Sequence, residues 1–186
     1  MNVNDLSISG YSSHIVFITG GTKSGKSEFA EHLAKEIKNL SYVALSENNL
    51  DDKDWQNKIN LHRKRRPKDW KLIETTDLLN TLRKHEGPLL IDSIGGFVME
   101  SIGKEHNEWS IKMNSLISYL MKRKSKTFIV GEQVGWSLVS EYKIGNTYIE
   151  RIGELQKRIT KISKDNWLAI NGRAIKIDEI SIEIPS

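Results

Sequence analysis

The chain has 186 residues, of which 38% are hydrophobic and 28% are charged, as is typical of one globular domain with a substantial core. With 28 Lys and Arg against 24 Asp and Glu, the net charge of +4 suits anionic ligands such as nucleotides. Cysteine is absent, which excludes disulfides, thiolate metal sites and a cysteine nucleophile.

Residues 1–13 are polar and contain neither a basic start nor an apolar segment, so they do not form a signal peptide. No apolar run elsewhere approaches the length that spans a membrane. We expect a flexible leader over residues 1–13 and a single domain over residues 14–186. We also expect a soluble protein of the cytoplasm, without stable insertion into a membrane.

The first strand, loop and helix together indicate a nucleotide-binding site. Ile15 to Ile18 is a short apolar run typical of a buried parallel strand. The P-loop pattern Gly-x4-Gly-Lys-Ser and an amphipathic helix follow it. In such a loop the backbone N–H groups surround phosphate oxygens, Lys26 reaches the β and γ phosphates, and the Ser27 hydroxyl holds Mg²⁺. The predicted phosphate-binding residues are Gly20, Gly21, Thr22, Lys23, Ser24, Gly25, Lys26 and Ser27.

The second predicted strand, residues 41–45, ends in a polar segment. Ligands of open α/β sheets bind at the carboxyl ends of strands, so Leu45, Ser46 and Glu47 are candidate site residues. A polar helix is predicted over residues 51–60. The most basic stretch of the chain, residues 61–70, comes next.

Residues 70–74 predict a short strand, and residues 76–85 predict a helix capped by Thr75 or Thr76. Leu89 to Ser93 predicts a buried strand ending in a carboxylate, Asp92. That is the usual form of a Walker B segment, whose acid holds the Mg²⁺ shell. The alternative is that Asp92 caps the following helix.

The rest of the chain continues the alternation of strands and helices. Apolar periodicity predicts helices over residues 94–102, 109–124 and 147–163, and a buried strand over residues 127–130. Asn171-Gly172 between two short apolar runs predicts a hairpin, and residues 179–186 are a candidate edge strand. The predicted fold class is α/β, with a mostly parallel sheet, helices on both faces and a C-terminal antiparallel hairpin.

Several motifs occur together in an order that is far more specific than the P-loop alone. They are Gly20 to Ser27 with Ala30-Glu31, then His62 with Arg66-Pro67, Trp70 and Glu74, then Leu89 to Asp92. From Ile15 to about Ile177 the chain therefore resembles the bifunctional adenosylcobinamide kinase / adenosylcobinamide-phosphate guanylyltransferase family of cobalamin biosynthesis.

The resemblance implies a RecA-like P-loop fold, commonly assembled as a homotrimer, that performs two steps. A nucleoside triphosphate first gives its γ phosphoryl group to the aminopropanol hydroxyl of adenosylcobinamide. GTP then guanylylates an enzyme histidine, and the phosphorylated cobinamide takes the GMP to give adenosylcobinamide-GDP. The implied ligands are ATP, GTP, Mg²⁺ and a corrinoid, with no nucleic acid.

Carried over by position, the guanylylated histidine is His62, and Lys26 is the second catalytic residue. Neighbouring cations disfavour a positive charge on the His62 ring, as a nucleophile requires, although a histidine in such a stretch is usually solvated surface. Ser27 and Asp92 would hold the metal. Besides residues 20–27, the implied GTP contacts are Leu45, Ser46, Glu47, Arg63, Lys64, Arg65, Arg66, Glu74 and Asp92.

The chain departs from the family pattern in its second half. Glu132-Gln133 stands where Asn-Glu is usual, residues 93–96 replace a Cys-Leu-Thr run, and Glu100 stands where asparagine is expected. Three alternatives stay open: a relative that retains one activity, a RecA-like nucleic-acid-binding ATPase, and a nucleotide-binding module without turnover. For the ATPase the basic stretch would grip backbone phosphates, but it is short, and Trp70 alone is not a stacking platform.

Overall fold

The computed structural model describes residues 12–45, 67–136 and 140–185. Its strands are β1 (Ser12–Gly20), β2 (Ser41–Ala44), β3 (Lys71–Glu74), β4 (Leu89–Asp92), β5 (Thr127–Glu132), β6 (Ser163–Ile170) and β7 (Arg173–Lys176). Its helices are α1 (Lys26–Ala34), α2 (Leu78–Lys84), α3 (Gly95–Met99), α4 (His106–Lys122), α5 (Lys143–Ile162) and α6 (Ile177–Ile180). None of these helices is long and apolar enough to cross a membrane.

All seven strands belong to one sheet, in the order β3-β2-β4-β5-β1-β6-β7. Every neighbouring pair is parallel except β6 and β7, which form an antiparallel hairpin. Its turn is Asn171-Gly172, with φ angles of 48° and 74°, as a tight two-residue turn requires. The predicted α/β class, parallel sheet and C-terminal hairpin are confirmed.

The two faces of the sheet are covered by different helices. Along β1, Ile15 and Phe17 belong to the buried cluster that includes α2 to α5, whereas Val16 and Ile18 belong to the cluster that includes α1. This alternation follows from the two-residue period of a strand. Because both faces are buried, the central strands β1, β4 and β5 contain continuous apolar runs, with polar residues only at their ends. The predicted helices on both faces are confirmed.

The predicted cap of the helix after β3 is wrong. Asp77 is the N-cap of α2, and its Oδ1 accepts a hydrogen bond from the Asn80 N–H at 3.0 Å. Thr75 Oγ1 instead accepts a hydrogen bond from the Asp77 N–H at 3.0 Å. The threonine therefore orders the turn before the helix, while the carboxylate, a stronger acceptor, satisfies a free N–H of the first turn.

The candidate edge strand over residues 179–186 is also wrong. The chain forms α6 directly after β7, and residues 181–185 are irregular. The physical reason is Asp178, whose carboxylate accepts hydrogen bonds from the Asn166 backbone N–H at 2.7 Å and from Asn166 Nδ2 at 3.0 Å. These bonds turn the segment back onto β6 and prevent it from pairing beside β7.

Candidate functional site

The glycine-rich loop lies where β1 ends, between β5 and β6. Gly25 is the N-cap of α1 and has a φ of 92°, which an L side chain rarely adopts. Its carbonyl accepts a hydrogen bond from the Phe29 N–H at 2.9 Å, so α1 begins directly after the loop. Lys26 Nζ donates to the Gly21 carbonyl at 3.1 Å, which holds the ammonium group over the loop. The loop thus leads directly into the N-terminus of a helix, an arrangement that favours the binding of anions such as phosphate.

The hairpin between β6 and β7 holds the loop from one side. The Gly172 N–H donates to the Ser24 carbonyl at 3.0 Å. A Cβ at Gly20 would collide with the Ala169 carbonyl oxygen and lie 2.6 Å from Ser24 Oγ. Only glycine therefore fits at position 20, because its neighbours there are backbone atoms and a buried side chain.

The Walker B interpretation of Asp92 fits the structure better than the capping alternative. The Ser27 hydroxyl donates to Asp92 Oδ1 at 3.0 Å, and the Tyr42 hydroxyl donates to Asp92 Oδ2. The N-cap of α3 is Ile94, and no side chain caps that helix. Asp92 therefore faces the loop rather than the following helix.

The same pair fits a magnesium site. The hydroxyl and the carboxylate supply two oxygen ligands, and Mg²⁺ usually takes one or two protein oxygens together with substrate phosphates and water. Among the residues that the structure describes, no group of three or more His, Asp and Glu residues could hold a metal alone. Ser27 and Asp92 would accordingly hold Mg²⁺ as part of a metal–nucleotide complex.

A second carboxylate, Glu132, stands beside the loop at the end of β5. It pairs in register with Gly20, and the Gln133 N–H donates to the Gly20 carbonyl at 2.9 Å. Its carboxylate accepts hydrogen bonds from Ser93 Oγ and, at 3.1 Å, from the Gly95 N–H. Ser93 has a φ of 68°, an uncommon conformation for a residue with a side chain.

Burial raises the pKa of Glu132, while the hydrogen bonds from Ser93 and Gly95 and the charge of Lys26 act in the opposite direction. The Tyr148 hydroxyl on α5 lies beside Gly95 and the Glu132 carboxylate, since a Cβ at Gly95 would collide with both. Burial and the charge of Glu132 raise the pKa of Tyr148 to about 12. These groups form a polar cluster between the P-loop and the start of α3.

Gln156 on α5 joins the ends of β1 and β5. Its Nε2 donates to the Glu132 carbonyl at 2.8 Å, and its Oε1 accepts from Thr19 Oγ1 at 2.9 Å. The side chain is buried, so these bonds fix the two strand ends relative to each other. Gln156 therefore positions the residue that precedes the loop.

Sequence reasoning assigned no site role to Tyr42, Tyr148 or Gln156. It placed Glu132 at the carboxyl end of a strand and noted it as a departure from the family pattern, but gave it no role. For Glu132 a usable signal existed, since it is a carboxylate at the carboxyl end of a buried strand. Tyr42 lies in an apolar run, where tyrosine usually indicates core. Gln156 lies within an amphipathic helix and carries no local signal.

The other predicted site residues are spread along the same edge of the sheet. Leu45 is 8% exposed, and its carbonyl lies so close to Gly96 that a Cβ there would collide with it. Glu74 is exposed on β3, four strands from β1, or about 19 Å at the usual strand spacing. The structure thus brings Asp92 to the P-loop but keeps Glu74 apart from it.

Part of the predicted site lies outside the described residues. Residues 46–66 are not described, and this range includes the predicted helix over residues 51–60. The predicted site residues concerned are Ser46, Glu47, His62, Arg63, Lys64, Arg65 and Arg66.

Comparison with known families gives a match over most of the chain. The model of a family described as "Cobinamide kinase / cobinamide phosphate guanyltransferase" matches residues 16–177. "Bifunctional adenosylcobalamin biosynthesis protein CobU" of Escherichia coli (strain K12) is 24% identical over 88% of this chain and 99% of its own length. "Bifunctional adenosylcobalamin biosynthesis protein CobP" of Pseudomonas aeruginosa is 25% identical over 77% of this chain and 86% of its own length.

Comparison with solved structures supports the fold. One similar structure is the assembled ATPase EscN in complex with its central stalk EscO from the enteropathogenic E. coli type III secretion system, with a TM-score of 0.52. At 12% identity the match covers 84% of this chain and 42% of that one. The likeness shows a shared fold and nothing about activity or substrate.

Proposed function

The chain belongs to the cobinamide kinase / cobinamide phosphate guanyltransferase family, and from this premise we propose that it performs both reactions on adenosylcobinamide. In the first reaction a nucleoside triphosphate phosphorylates the aminopropanol hydroxyl. In the second, GMP from GTP passes through His62 to the phosphorylated cobinamide. The observation that carries the proposal is the contact between the Ser27 hydroxyl and the Asp92 carboxylate beside Lys26.

In the first reaction the described residues act by positioning and by charge. The P-loop N–H groups and Lys26 would bind the β and γ phosphates, and Ser27 with Asp92 would hold Mg²⁺. When bound, Mg²⁺ neutralises charge that develops on the phosphate oxygens. The hydroxyl oxygen of cobinamide bonds to the γ phosphorus, the bond from that phosphorus to the β-bridging oxygen breaks, and the hydroxyl proton is released.

In the second reaction His62 would be the nucleophile. A neutral ring nitrogen bonds to the α phosphorus of GTP and pyrophosphate leaves; the cobinamide phosphate oxygen then displaces the histidine. Arg63, Lys64, Arg65 and Arg66 suit this step, because guanidinium groups pair with phosphate oxygens and nearby cations keep the imidazole neutral. Leu45 and Glu74, the predicted GTP contacts that the structure describes on either side of this segment, lie at the edge of the sheet that carries the P-loop.

Labelling with α-³²P GTP and Mg²⁺ tests the second reaction. We expect the native protein to acquire an acid-labile label and the His62→Ala variant to acquire none. His85→Ala is the matched control, since His85 is exposed at the end of α2 and away from the P-loop. A native protein that stays unlabelled, or a His62→Ala variant that labels normally, would show that His62 is not the guanylylated residue.

A separate assay of adenosylcobinamide phosphorylation, without GTP labelling, tests the first reaction. Activity in one assay alone would identify a relative that retains a single activity. We also propose, on the family resemblance, that the protein acts in the cytoplasm as a homotrimer. Sedimentation equilibrium of the purified chain tests the trimer directly.

A further inference from the structure

A cavity of about 410 Å³ adjoins the P-loop on the side of β1 that faces β6 and β7. Its lining comes from the loop, the first turn of α1 and the hairpin. Its volume falls in the range of cavities that bind small organic ligands. Asp92 lies on the opposite side of β1, so the cavity is separate from the predicted metal pair.

The cavity exists because small residues meet at this place. Ala169 and Ala174 lie directly opposite each other in the antiparallel ladder of β6 and β7, and both line the cavity. Ala169 pairs with Gly20 on β1, so these residues face the side of the sheet that α1 covers. Two larger side chains at these positions would fill the space between the hairpin and α1.

An aromatic ring, a cation and the carboxylate of Glu28 border the same space. Phe29 lines the cavity, and Trp167 holds its ring edge-to-face, with centroids 5.1 Å apart and an interplanar angle of 67°. Arg173 lines the cavity from the first residue of β7 and is exposed. Aromatic faces and guanidinium groups are the surfaces on which nucleobases stack.

The orientation of the triphosphate follows from the P-loop itself. Lys26 would contact the β and γ phosphates, and Ser27 with Asp92 would hold Mg²⁺ at the same end of the triphosphate. For the nucleotide that donates the γ phosphoryl group, the α phosphate and the nucleoside would then extend away from the metal pair, toward the hairpin. Ser24 lines the cavity on that side; it is 6% exposed, and its buried Oγ has no hydrogen-bond partner among the residues described.

We propose that this cavity binds the purine nucleoside of the triphosphate whose phosphates the P-loop holds, with the base against Phe29 and Arg173. The inference rests on the proposed function, which supplies the triphosphate. It adds a specific subsite that would recognise ATP or GTP in the phosphorylation reaction.

The experiment compares nucleotides with a ligand that lacks a nucleoside. Binding of magnesium ATP, magnesium GTP and magnesium tripolyphosphate is measured by calorimetry for the native chain, Arg173→Ala and Ala174→Phe. Arg83→Ala is the matched control, since Arg83 is exposed on α2 on the other face of the sheet. Thermal melts establish that each variant is folded.

For Arg173→Ala we expect Kd for the preferred purine nucleotide to rise about 5- to 30-fold, the usual size of a stacking or cation–π contribution. Ala174→Phe should weaken the same nucleotide by blocking the cavity. Tripolyphosphate should bind both variants as tightly as the native chain. Equal losses for nucleotide and tripolyphosphate, or no loss for either, would overturn the inference. A native chain that binds neither ligand would instead defeat the proposed function.

Discussion

The two sides of β1 differ in the chemistry that they present to the P-loop. Toward β5 and β4 stand two carboxylates, Asp92 and Glu132, together with the hydroxyl groups of Ser27 and Ser93. Toward β6 and β7 stand a tight turn and the two alanines that border the cavity. One side therefore offers two carboxylates with their hydroxyl partners, and the other offers an open space lined by small residues, Phe29 and Arg173.

This difference matches the two ends of a nucleoside triphosphate. The phosphate end is anionic and reacts, so it requires a metal and fixed polar groups whose positions do not change during the reaction. The nucleoside end is largely planar and unreactive, so a cavity with an aromatic wall suffices. A single loop would serve both ends because it lies between strands of unlike composition.

The largest expected effect comes from removing the ammonium group of Lys26, which lies over the P-loop. Lys26→Ala should lower the rate of adenosylcobinamide phosphorylation about 10²- to 10³-fold, since in the proposed reaction the ammonium group would stabilise charge on the transferred phosphoryl group. The measurement is a single-turnover phosphorylation assay. Lys35→Ala, an exposed lysine just after α1, is the control and should react at the native rate. A Lys26→Ala variant as active as the control would contradict the phosphate role.

A smaller effect is expected from Asp92, which lies on the side of β1 toward β5 and β4 and would hold Mg²⁺. Asp92→Asn keeps an oxygen acceptor for Ser27 or Tyr42 but loses the negative charge. We expect the rate to fall about 10- to 100-fold and the Mg²⁺ concentration that gives half the maximal rate to rise. Titration with Mg²⁺ measures both, with Asp69→Asn, at an exposed turn, as the control. An unchanged Mg²⁺ requirement would remove Asp92 from the metal site.

The smallest expected effect concerns Glu132 and is a change of stability with pH. Because burial raises the pKa of Glu132, the folded state binds its proton more tightly than the unfolded state does. Its contribution to the free energy of unfolding is therefore present at low pH and is lost as pH rises through the folded-state pKa. Lys26, Ser93, the Gly95 N–H and Tyr148 are the groups that face this carboxylate.

Glu132→Gln removes that titration while its amide can still accept from the Gly95 N–H and donate to Ser93 Oγ. We expect the stability of Glu132→Gln relative to the native chain to increase as pH rises from the ordinary carboxyl pKa toward the raised pKa of Glu132 in the folded state. Above that pKa the difference should level off. Thermal melts across this range measure the difference, with the exposed Glu36→Gln as control. A difference that does not vary with pH would show that Glu132 titrates normally in the folded protein.

Much of the fold could be predicted from local pattern. The P-loop, the buried strands and the Asn171-Gly172 hairpin each depend on residues that are close in the chain, so period and turn chemistry identify them. Helix caps were less predictable, because Thr75, Thr76 and Asp77 are all acceptable caps and only the actual hydrogen bonds select Asp77. The weak apolar alternation of the tail suggests a strand. The segment instead begins with α6, because the Asp178 carboxylate accepts a hydrogen bond from the Asn166 N–H on β6.

Local pattern in the sequence was enough to identify a P-loop motif after the first strand, Asp92 at the end of a buried strand, and a resemblance to one enzyme family. Only the tertiary structure decided what surrounds the loop: Asp92 with Tyr42, Glu132 with Ser93 and Gly95, and the cavity against the hairpin. The physical reason is that these groups come from strands that are neighbours in the sheet but distant in the chain. Thr19 and Gln156, for example, are 137 residues apart, and no local period encodes that they share a hydrogen bond.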